Sequence, residues 1–257
     1  MLPPETGRRA DSVPGIVSSA SPSRRSSSSR SRREPPAPTL VLFVRHGQTG
    51  TTGKVLPGRA RGLHLADAGR AQADRAATRI GALAQSRPDD GIAAVYASPM
   101  ERTQETARPI ARAVGRRVRT EAGLNECDFG DWTGKRLSTL RKRPEWQTVQ
   151  RYPSGFRFPR GESFNEMQTR MTGAIAGLVQ RHPGEAIVAV SHADTIKAAL
   201  ADALGTHLDQ FQRIVVSPCS ISAVLYTAAG PVVLASNSTG DDLTTLVPSL
   251  SLIHISE

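Results

Sequence analysis

The sequence predicts an α/β fold: a three-layer sandwich with a mostly parallel central sheet, an antiparallel edge strand and helices on both faces. Three observations carry this expectation. Continuous apolar runs at 40–44, 92–97 and 186–190 have the length and β-branched content of strands covered on both faces. Segments with helical punctuation separate them, so strands and helices alternate along the chain. Near the end, Ala228-Ala229-Gly230-Pro231 divides two β-prone runs, as the turn of an edge hairpin does.

Residues 1–38 are dominated by Ser, Arg and Pro, including Ser26-Ser27-Ser28-Ser29 and Pro35-Pro36, and hold too few apolar side chains to offset the entropy of ordering. They are expected to be a disordered tail. Order is expected from Thr39, with a strand at 40–44 followed at once by Arg45-His46-Gly47. Asp67 is placed to cap a helix over 71–83, and 92–97 reads as the second strand. A further helix starts near Ser98-Pro99, with Ser98 as its N-cap, and stops before Gly115. The stretch 137–158, rich in charge, Pro and Trp, is predicted as a helical insertion or lid. A helix over 163–180, a strand at 186–190 and a helix through Leu204 follow, then β-rich runs at 214–216, 221–226 and 232–234. One domain is therefore expected over 39–240, with an insertion around 135–160, and a poorly structured tail over 241–257.

Composition narrows the function classes. No apolar stretch approaches the ~20 residues that span a bilayer, so no membrane partner is expected. The net charge of +10 is spread out: 7 of the 33 basic residues lie in 1–38, leaving 26 against 20 acidic residues. Arginines occur along helical segments rather than in one block, which is a solvated surface rather than a nucleic-acid footprint. Cys127 and Cys219 are the only cysteines and lack metal-ligand spacing, so no metal site or disulfide is expected. A reducing compartment follows as the default, and the expected one is the cytoplasm.

Five residues carry the candidate chemistry. Arg45 and His46 follow the first strand, Arg102 lies in the first turn of a helix, Glu126 is in a loop, and His192 ends a later strand. In open α/β sheets, positions beyond the carboxyl ends of strands converge on one crevice. An imidazole can attack phosphorus when one nitrogen is neutral and the other is held by a hydrogen bond. Two guanidiniums can position a phosphoryl dianion and stabilise its equatorial oxygens, and a leaving alkoxide needs a proton from a nearby acid. His64, His182, His207 and His254 are read as surface or packing residues. Cys127 is read as a small buried side chain and Trp132 as packing beneath its loop.

The motifs are specific. Val44-Arg45-His46-Gly47-Gln48-Thr49 resembles the RHG(E/Q)T signature of the histidine phosphatase superfamily, in its phosphoglycerate mutase-like branch. Ser98-Pro99-Met100-Glu101-Arg102-Thr103-Gln104-Glu105-Thr106-Ala107 resembles that family's SPxxRxxxTA segment. The run from Leu124-Asn125-Glu126 through Gly130-Asp131-Trp132-Thr133-Gly134 is similar to its LxExxxGxWxG segment. Gly161-Glu162-Ser163 and Val190-Ser191-His192 resemble its GES and VSH elements, and the match covers roughly 40–240. The resemblance implies that His46 is the nucleophile, oriented by the Gly47 carbonyl. It also implies that Arg45, Arg102 and His192 bind the phosphoryl group, and that Glu126 is the general acid, its pKa raised by the incoming phosphate. Thr52 stands where many relatives place an Asn that touches phosphate, and its hydroxyl can still donate one hydrogen bond.

The expected function is a metal-independent phosphomonoester hydrolase acting through phosphohistidine on a small phosphorylated metabolite, with no cofactor. A cofactor-dependent phosphoglycerate mutase is the alternative. It is disfavoured because 135–160 lacks the long Arg-rich WRRS-like insertion and the following Pro run. A non-catalytic phosphate-binding module is disfavoured because all five positions are filled. The motifs specify neither the substrate nor the oligomeric state.

Overall fold

Leu40, Val41, Leu42, Phe43 and Val44 are all buried, as a strand sandwiched between two helical layers requires. They lie in β1 (Thr39–Arg45), near the middle of a six-stranded sheet ordered β3-β2-β4-β1-β5-β6. The other strands are β2 (Ala94–Ala97), β3 (Val118–Thr120), β4 (Ala186–Ser191), β5 (Ile221–Thr227) and β6 (Gly230–Ser238). The computed structural model describes residues 36–87 and 91–240. The tails expected over 1–35 and 241–257 lie outside the described residues. Of the expected N-terminal tail, 36–38 are described, and the Ala37 carbonyl accepts a 3.1 Å bond from the Gly184 amide.

β1 to β4 are parallel where they pair, while β5 runs antiparallel to both β1 and β6. The fold class is the expected one, and the expected hairpin supplies both β5 and the edge strand β6. Alternation along the strands sorts the core into two faces. Leu40, Leu42, Val44, Val188 and Val190 pack against α1 (Asp67–Gln85) and α2 (Glu101–Ala113). Val41, Phe43, Ile187 and Ala189 pack against α5 (Phe164–Arg181) and α6 (Ala193–Ala203). Each fully buried large aliphatic side chain contributes roughly 1.5–3 kcal/mol, so these two layers fix where the strand ends lie.

A third cluster holds the insertion. Its helices α3 (Leu137–Leu140) and α4 (Glu145–Arg151) send Leu140 and Val149 onto Phe129, Trp132, Phe156, Phe158, Phe164 and Phe211. Trp146 stacks on Trp132 with ring centroids 6.3 Å apart. The insertion is thus a helical element docked on an aromatic floor. Trp132 packs under its loop as expected.

Three local expectations need correction, and one strand was not foreseen. Asp67 is the first helical residue of α1, and Ala66 occupies the N-cap without a side-chain bond. Ser98 does not cap α2 either. Met100 holds that position, because Ser98 belongs to the strand end and is engaged elsewhere. Residues 214–216 form no strand: they follow a short 3₁₀ helix (Leu208–Arg213), and the Val216 carbonyl is taken by Arg45. β3 escaped notice in the sequence because three residues, one half-buried and two exposed, are too few to show alternation.

Two glycines permit the close approach that seats the His46 loop on α1. A Cβ on Gly69 would come within 2.0 Å of the Gln48 carbonyl oxygen, and one on Gly47 within 2.5 Å of the Gly69 oxygen. Backbone against backbone cannot yield without moving the loop. Gly69→Ala is therefore expected to lower unfolding stability by about 1–3 kcal/mol, measured as a reduced urea midpoint. An unchanged midpoint would show that α1 and the loop separate freely.

Candidate active site

The sheet register brings the candidate residues together. Arg45 pairs with Ser191 across β1 and β4, so His46 and His192 follow at neighbouring strand ends, with ring centroids 5.3 Å apart and ring planes inclined at 63°. Both are buried. The His46 amide donates to the Ser191 carbonyl at 3.0 Å, and the Gly47 amide donates to Thr106 Oγ1 at 3.1 Å. The first bond fixes the His46 backbone to β4 and the second fixes the next residue to α2.

His46 Nδ1 bonds the Gly47 carbonyl oxygen at 2.8 Å. A carbonyl only accepts, so Nδ1 carries the proton and Nε2 keeps its lone pair. Burial, then the charges of Arg102 and Arg45, press the imidazole pKa down to about 3, and these outweigh the opposing Gly47 bond. At neutral pH the ring is uncharged and oriented.

Arg102 is completely buried. Its NH2 donates to the Gly58 carbonyl at 2.8 Å and to His192 Nδ1 at 3.1 Å, while Nε and NH1 have no protein acceptor. Arg45 NH1 donates to the Val216 carbonyl at 2.7 Å, and its Nε is likewise buried without an acceptor. Leaving such donors unmatched costs on the order of 1–3 kcal/mol each, a cost that an anion accepting from them would relieve.

The Arg102 contact also fixes His192. Guanidinium has no acceptor, so Nδ1 must accept and the ring proton sits on Nε2. Nε2 lies 2.8 Å from Ser98 Oγ, which therefore accepts from His192 and can pass its own proton to Thr103 Oγ1 at 2.7 Å. Thr103 Oγ1 in turn donates to the Met100 carbonyl at 2.7 Å. Burial, followed by the charge of Arg102, holds the His192 pKa well below the usual imidazole value.

Glu126 is buried, not a solvated loop carboxylate. Its Oε1 accepts from the Cys127 amide at 3.0 Å, and Oε2 lies 3.7 Å from His192 Nδ1. Burial first, then the negative charge of Asp194, raises its pKa to about 7, against the lowering effect of Arg102. The carboxyl is thus already shifted by the protein itself, before any phosphate arrives. Burial pushes the neighbouring Cys127 thiol upward, as for a packing cysteine.

Several contributors were not singled out from the sequence. Arg170 NH1 donates to the carbonyls of Gly123 and Asn125 at 2.7 and 2.9 Å, and Arg59 Nε donates to that of Glu126 at 2.8 Å. Glu162 Oε1 joins the two arginines at 2.9 and 2.8 Å, while its Oε2 accepts from the Asp128 amide at 3.0 Å. Glu162 belongs to the Gly161-Glu162-Ser163 element. Its Ser163 forms a capping box with Glu166 at the start of α5, so this short motif both starts a helix and braces the Glu126 loop. The available signal was the motif itself, without a partner to assign. Thr52 Oγ1 accepts from the Thr49 amide at 2.9 Å, holding the turn after Gly47-Gln48 rather than touching the other candidates.

The remaining described histidines are engaged elsewhere. His182 Nε2 bonds the Tyr96 hydroxyl at 2.9 Å, His64 pairs with Glu105, and His207 lies near Asp209. His254 lies outside the described residues. Among the described residues, no three His, Cys, Asp or Glu side chains group as a metal site, and no helix is long and apolar enough to cross a membrane.

The model of the histidine phosphatase superfamily (branch 1) matches residues 41–239. "Probable phosphoglycerate mutase GpmB" of Cronobacter sakazakii is 33% identical over 189 residues, 72% of this chain and 84% of that protein. "Bifunctional protein Rv2228c" of Mycobacterium tuberculosis is 32% identical over 200 residues, which is 75% of this chain but 52% of that longer protein. Among solved structures, mycobacterial glucosyl-3-phosphoglycerate phosphatase Rv2419c superposes with a TM-score of 0.69 at 21% identity, covering 79% of this chain and all (100%) of that one. Phosphoserine phosphatase of Entamoeba histolytica in complex with 3-phosphoglyceric acid gives 0.67 at 24%, covering 80% and 100%. At such identities the structures establish the fold alone.

The raised pKa of Glu126 has a sign that stability measurements can read. Its folded value lies above the ordinary 4.5, so its contribution to folding is fully present below that value and is lost as pH rises through about 7. Glu126→Gln removes this titration. Relative to wild type, the variant should gain on the order of 2 kcal/mol between about pH 5 and about pH 8, read from urea unfolding at both. Identical differences at the two pH values would mean that the carboxylate is solvated.

Proposed function

The chain belongs to the histidine phosphatase superfamily, and from that premise we propose that it is a phosphomonoester hydrolase working through phosphohistidine, without a metal, on a small phosphorylated metabolite. One observation supports this reading above the rest: a neutral, oriented imidazole shares a buried site with two guanidiniums that keep unmatched donors and a carboxyl shifted to about 7. His46 Nε2 attacks phosphorus in line, and the bond to the leaving oxygen breaks. Glu126 supplies that oxygen with its proton. Arg45 and Arg102 take the equatorial oxygens, a role that the unmatched Nε and NH1 donors suit. For His192 to donate as well, its Nδ1 must gain a proton as the Arg102 contact opens, and a phosphate monoanion can deliver it. Glu126, now ionised, takes a proton from water as that water attacks phosphorus, the N–P bond breaks, and inorganic phosphate leaves.

The mutase reading has the Cronobacter relative's printed name in its favour. Hydrolysis is favoured by the insertion, whose two helices span 4 and 7 residues and lack the Arg-rich segment expected of a sealed mutase pocket. Rv2419c and the Entamoeba protein are named as phosphatases. The two free cysteines support a reducing compartment, and the cytoplasm is the compartment proposed.

Rapid quench during turnover should trap an acid-labile, base-stable phosphoryl group that is absent from His46→Ala; its persistence there would remove the assignment. EDTA should leave phosphate release intact, because two guanidiniums supply the neutralising charge. Arg45→Ala and Arg102→Ala should each slow turnover by about 100-fold or more. If 3-phosphoglycerate is instead isomerised after bisphosphoglycerate priming, with negligible phosphate release, the enzyme is a mutase.

The pH profile is a separate test. Glu126 acts first as an acid with a pKa of about 7, whereas His46 resists protonation until about pH 3. For alkyl phosphates, kcat/KM corrected for substrate ionisation should therefore fall above pH 7 and show no enzyme limb near pH 6. Glu126→Gln should abolish the alkaline fall and cost aryl phosphates less than alkyl ones. A limb near the ordinary imidazole value would contradict a neutral His46.

A further inference from the structure

A general acid must hold its proton on the oxygen that faces the leaving group, and at Glu126 the backbone decides which oxygen that is. The Glu126 carbonyl and the Cys127 N–H belong to one planar trans peptide unit, so they point in opposite directions. The amide end turns back and donates to Glu126 Oε1 at 3.0 Å. An oxygen that accepts from an amide serves as the carbonyl oxygen of a neutral carboxyl, which places the proton on Oε2. Oε2 is the atom 3.7 Å from His192 Nδ1, the nitrogen that Arg102 also meets.

The carbonyl end of the same peptide is held by an ionic network. Arg59 Nε donates to the Glu126 carbonyl at 2.8 Å and Arg170 NH2 at 3.3 Å. Glu162 aims both guanidiniums. Its Oε1 lies 2.8 Å from Arg59 NH2 and 2.9 Å from Arg170 Nε, while its Oε2 accepts from Arg170 NH2 and from the Asp128 amide, each at 3.0 Å. The network also reaches the His46 side of the site, because Arg59 follows Gly58, whose carbonyl holds Arg102.

Glu162 is itself fixed. Its amide donates to the Asp128 carbonyl at 2.8 Å, and its carbonyl accepts from the Phe158 amide at 3.0 Å. A Cβ on the adjacent Gly161 would come within 2.3 Å of that Asp128 oxygen, so a glycine is needed for the two segments to meet this closely. The Glu162 side chain is only 18% exposed, which sets its pairs apart from freely solvated ones. Burial works to raise its pKa, yet Arg170, the Asp128 amide and Arg59 together hold it below the ordinary carboxylate value. Glu162 therefore stays ionised over the range in which Glu126 titrates.

We infer that Glu162 is a positioning residue for the general acid: through Arg59 and Arg170 it holds the Glu126–Cys127 peptide in the orientation that puts the transferable proton on Oε2. The inference rests on the phosphomonoesterase reading and deepens it. Glu162 takes no direct part in the transfer. With its charge removed, the peptide can turn, the bond to Oε1 weakens, and the proton is shared between both oxygens. Turnover then falls according to how much the leaving oxygen needs that proton.

The experiment compares leaving groups. kcat/KM covers the steps through departure of the alcohol, and it is measured for 4-nitrophenyl phosphate and for an alkyl monoester. Glu162→Gln keeps the size of the side chain and removes its charge; it should lower kcat/KM by about 30-fold for the alkyl ester and by no more than about threefold for the aryl one. Arg59→Ala, at a side chain 32% exposed, carries the test should Glu162→Gln not fold. It should shift the aryl-to-alkyl ratio in the same direction by about fivefold. In a Glu126→Gln background, Glu162→Gln should cost the alkyl ester less than about threefold more, because the group it positions is gone. Equal losses for the two esters, or an undiminished loss in the Glu126→Gln background, would overturn the role and leave a purely structural brace, with hydrolysis at His46 intact. If Glu126→Gln itself treats both esters alike, the general-acid reading falls, and this inference with it.

Discussion

Complete burial of the Arg102 guanidinium is the constraint from which most of the site's properties follow. A permanent cation taken out of water must find acceptors, and two are provided: the Gly58 carbonyl and His192 Nδ1. The first ties the loop after His46 to α2. The second forces the His192 proton onto Nε2 and so recruits Ser98 and Thr103 into a one-way chain of hydrogen bonds. The same charge helps to keep both imidazoles neutral and partly offsets the burial that raises Glu126. One residue therefore sets a tautomer and a loop position, and its charge acts on three titrations whose direction burial decides.

Such a site works against the stability of the fold that holds it. Unmatched donors on Arg45 and Arg102 and a desolvated carboxyl each cost free energy, and rigid surroundings must absorb it. Parallel pairing of β1 with β4 supplies that rigidity by setting Arg45 opposite Ser191, after which both chains turn into the site. A second brace acts on the Glu126 loop, where Arg59 and Arg170 donate to backbone carbonyls while Glu162 joins the two arginines and accepts from the Asp128 amide. The candidate residues thus lie at strand ends, a helix start and loops, while their coordinates are dictated by strand register and by a small ionic network.

The insertion unites packing and access. Its apolar side chains are sunk in an aromatic floor around Trp132, so it is anchored like part of the core. Its basic side chains are divided between ion pairs and a carboxylate-free cavity beside the His46 loop. Anchoring fixes where those charges stand.

The sequence by itself made the candidate groups and most of the strands legible. Apolar runs such as 40–44 and 186–190 have one stable environment, a sheet covered on both sides, and motifs around His46, Arg102, Glu126 and His192 are local enough to be legible in order. The hairpin carrying β5 and β6 was equally visible, because its turn is local. What the sequence left undecided depends on contacts between residues far apart in the chain. Ser98 reads locally as a cap, yet a histidine 94 positions away claims its hydroxyl. Residues 214–216 have strand composition, but their carbonyl is drawn to Arg45, 171 positions from Val216. The pKa of Glu126, the tautomer of His192 and the pairing of the insertion's arginines likewise arise only when burial and distant charges act together, and those are set by tertiary packing rather than by any local pattern.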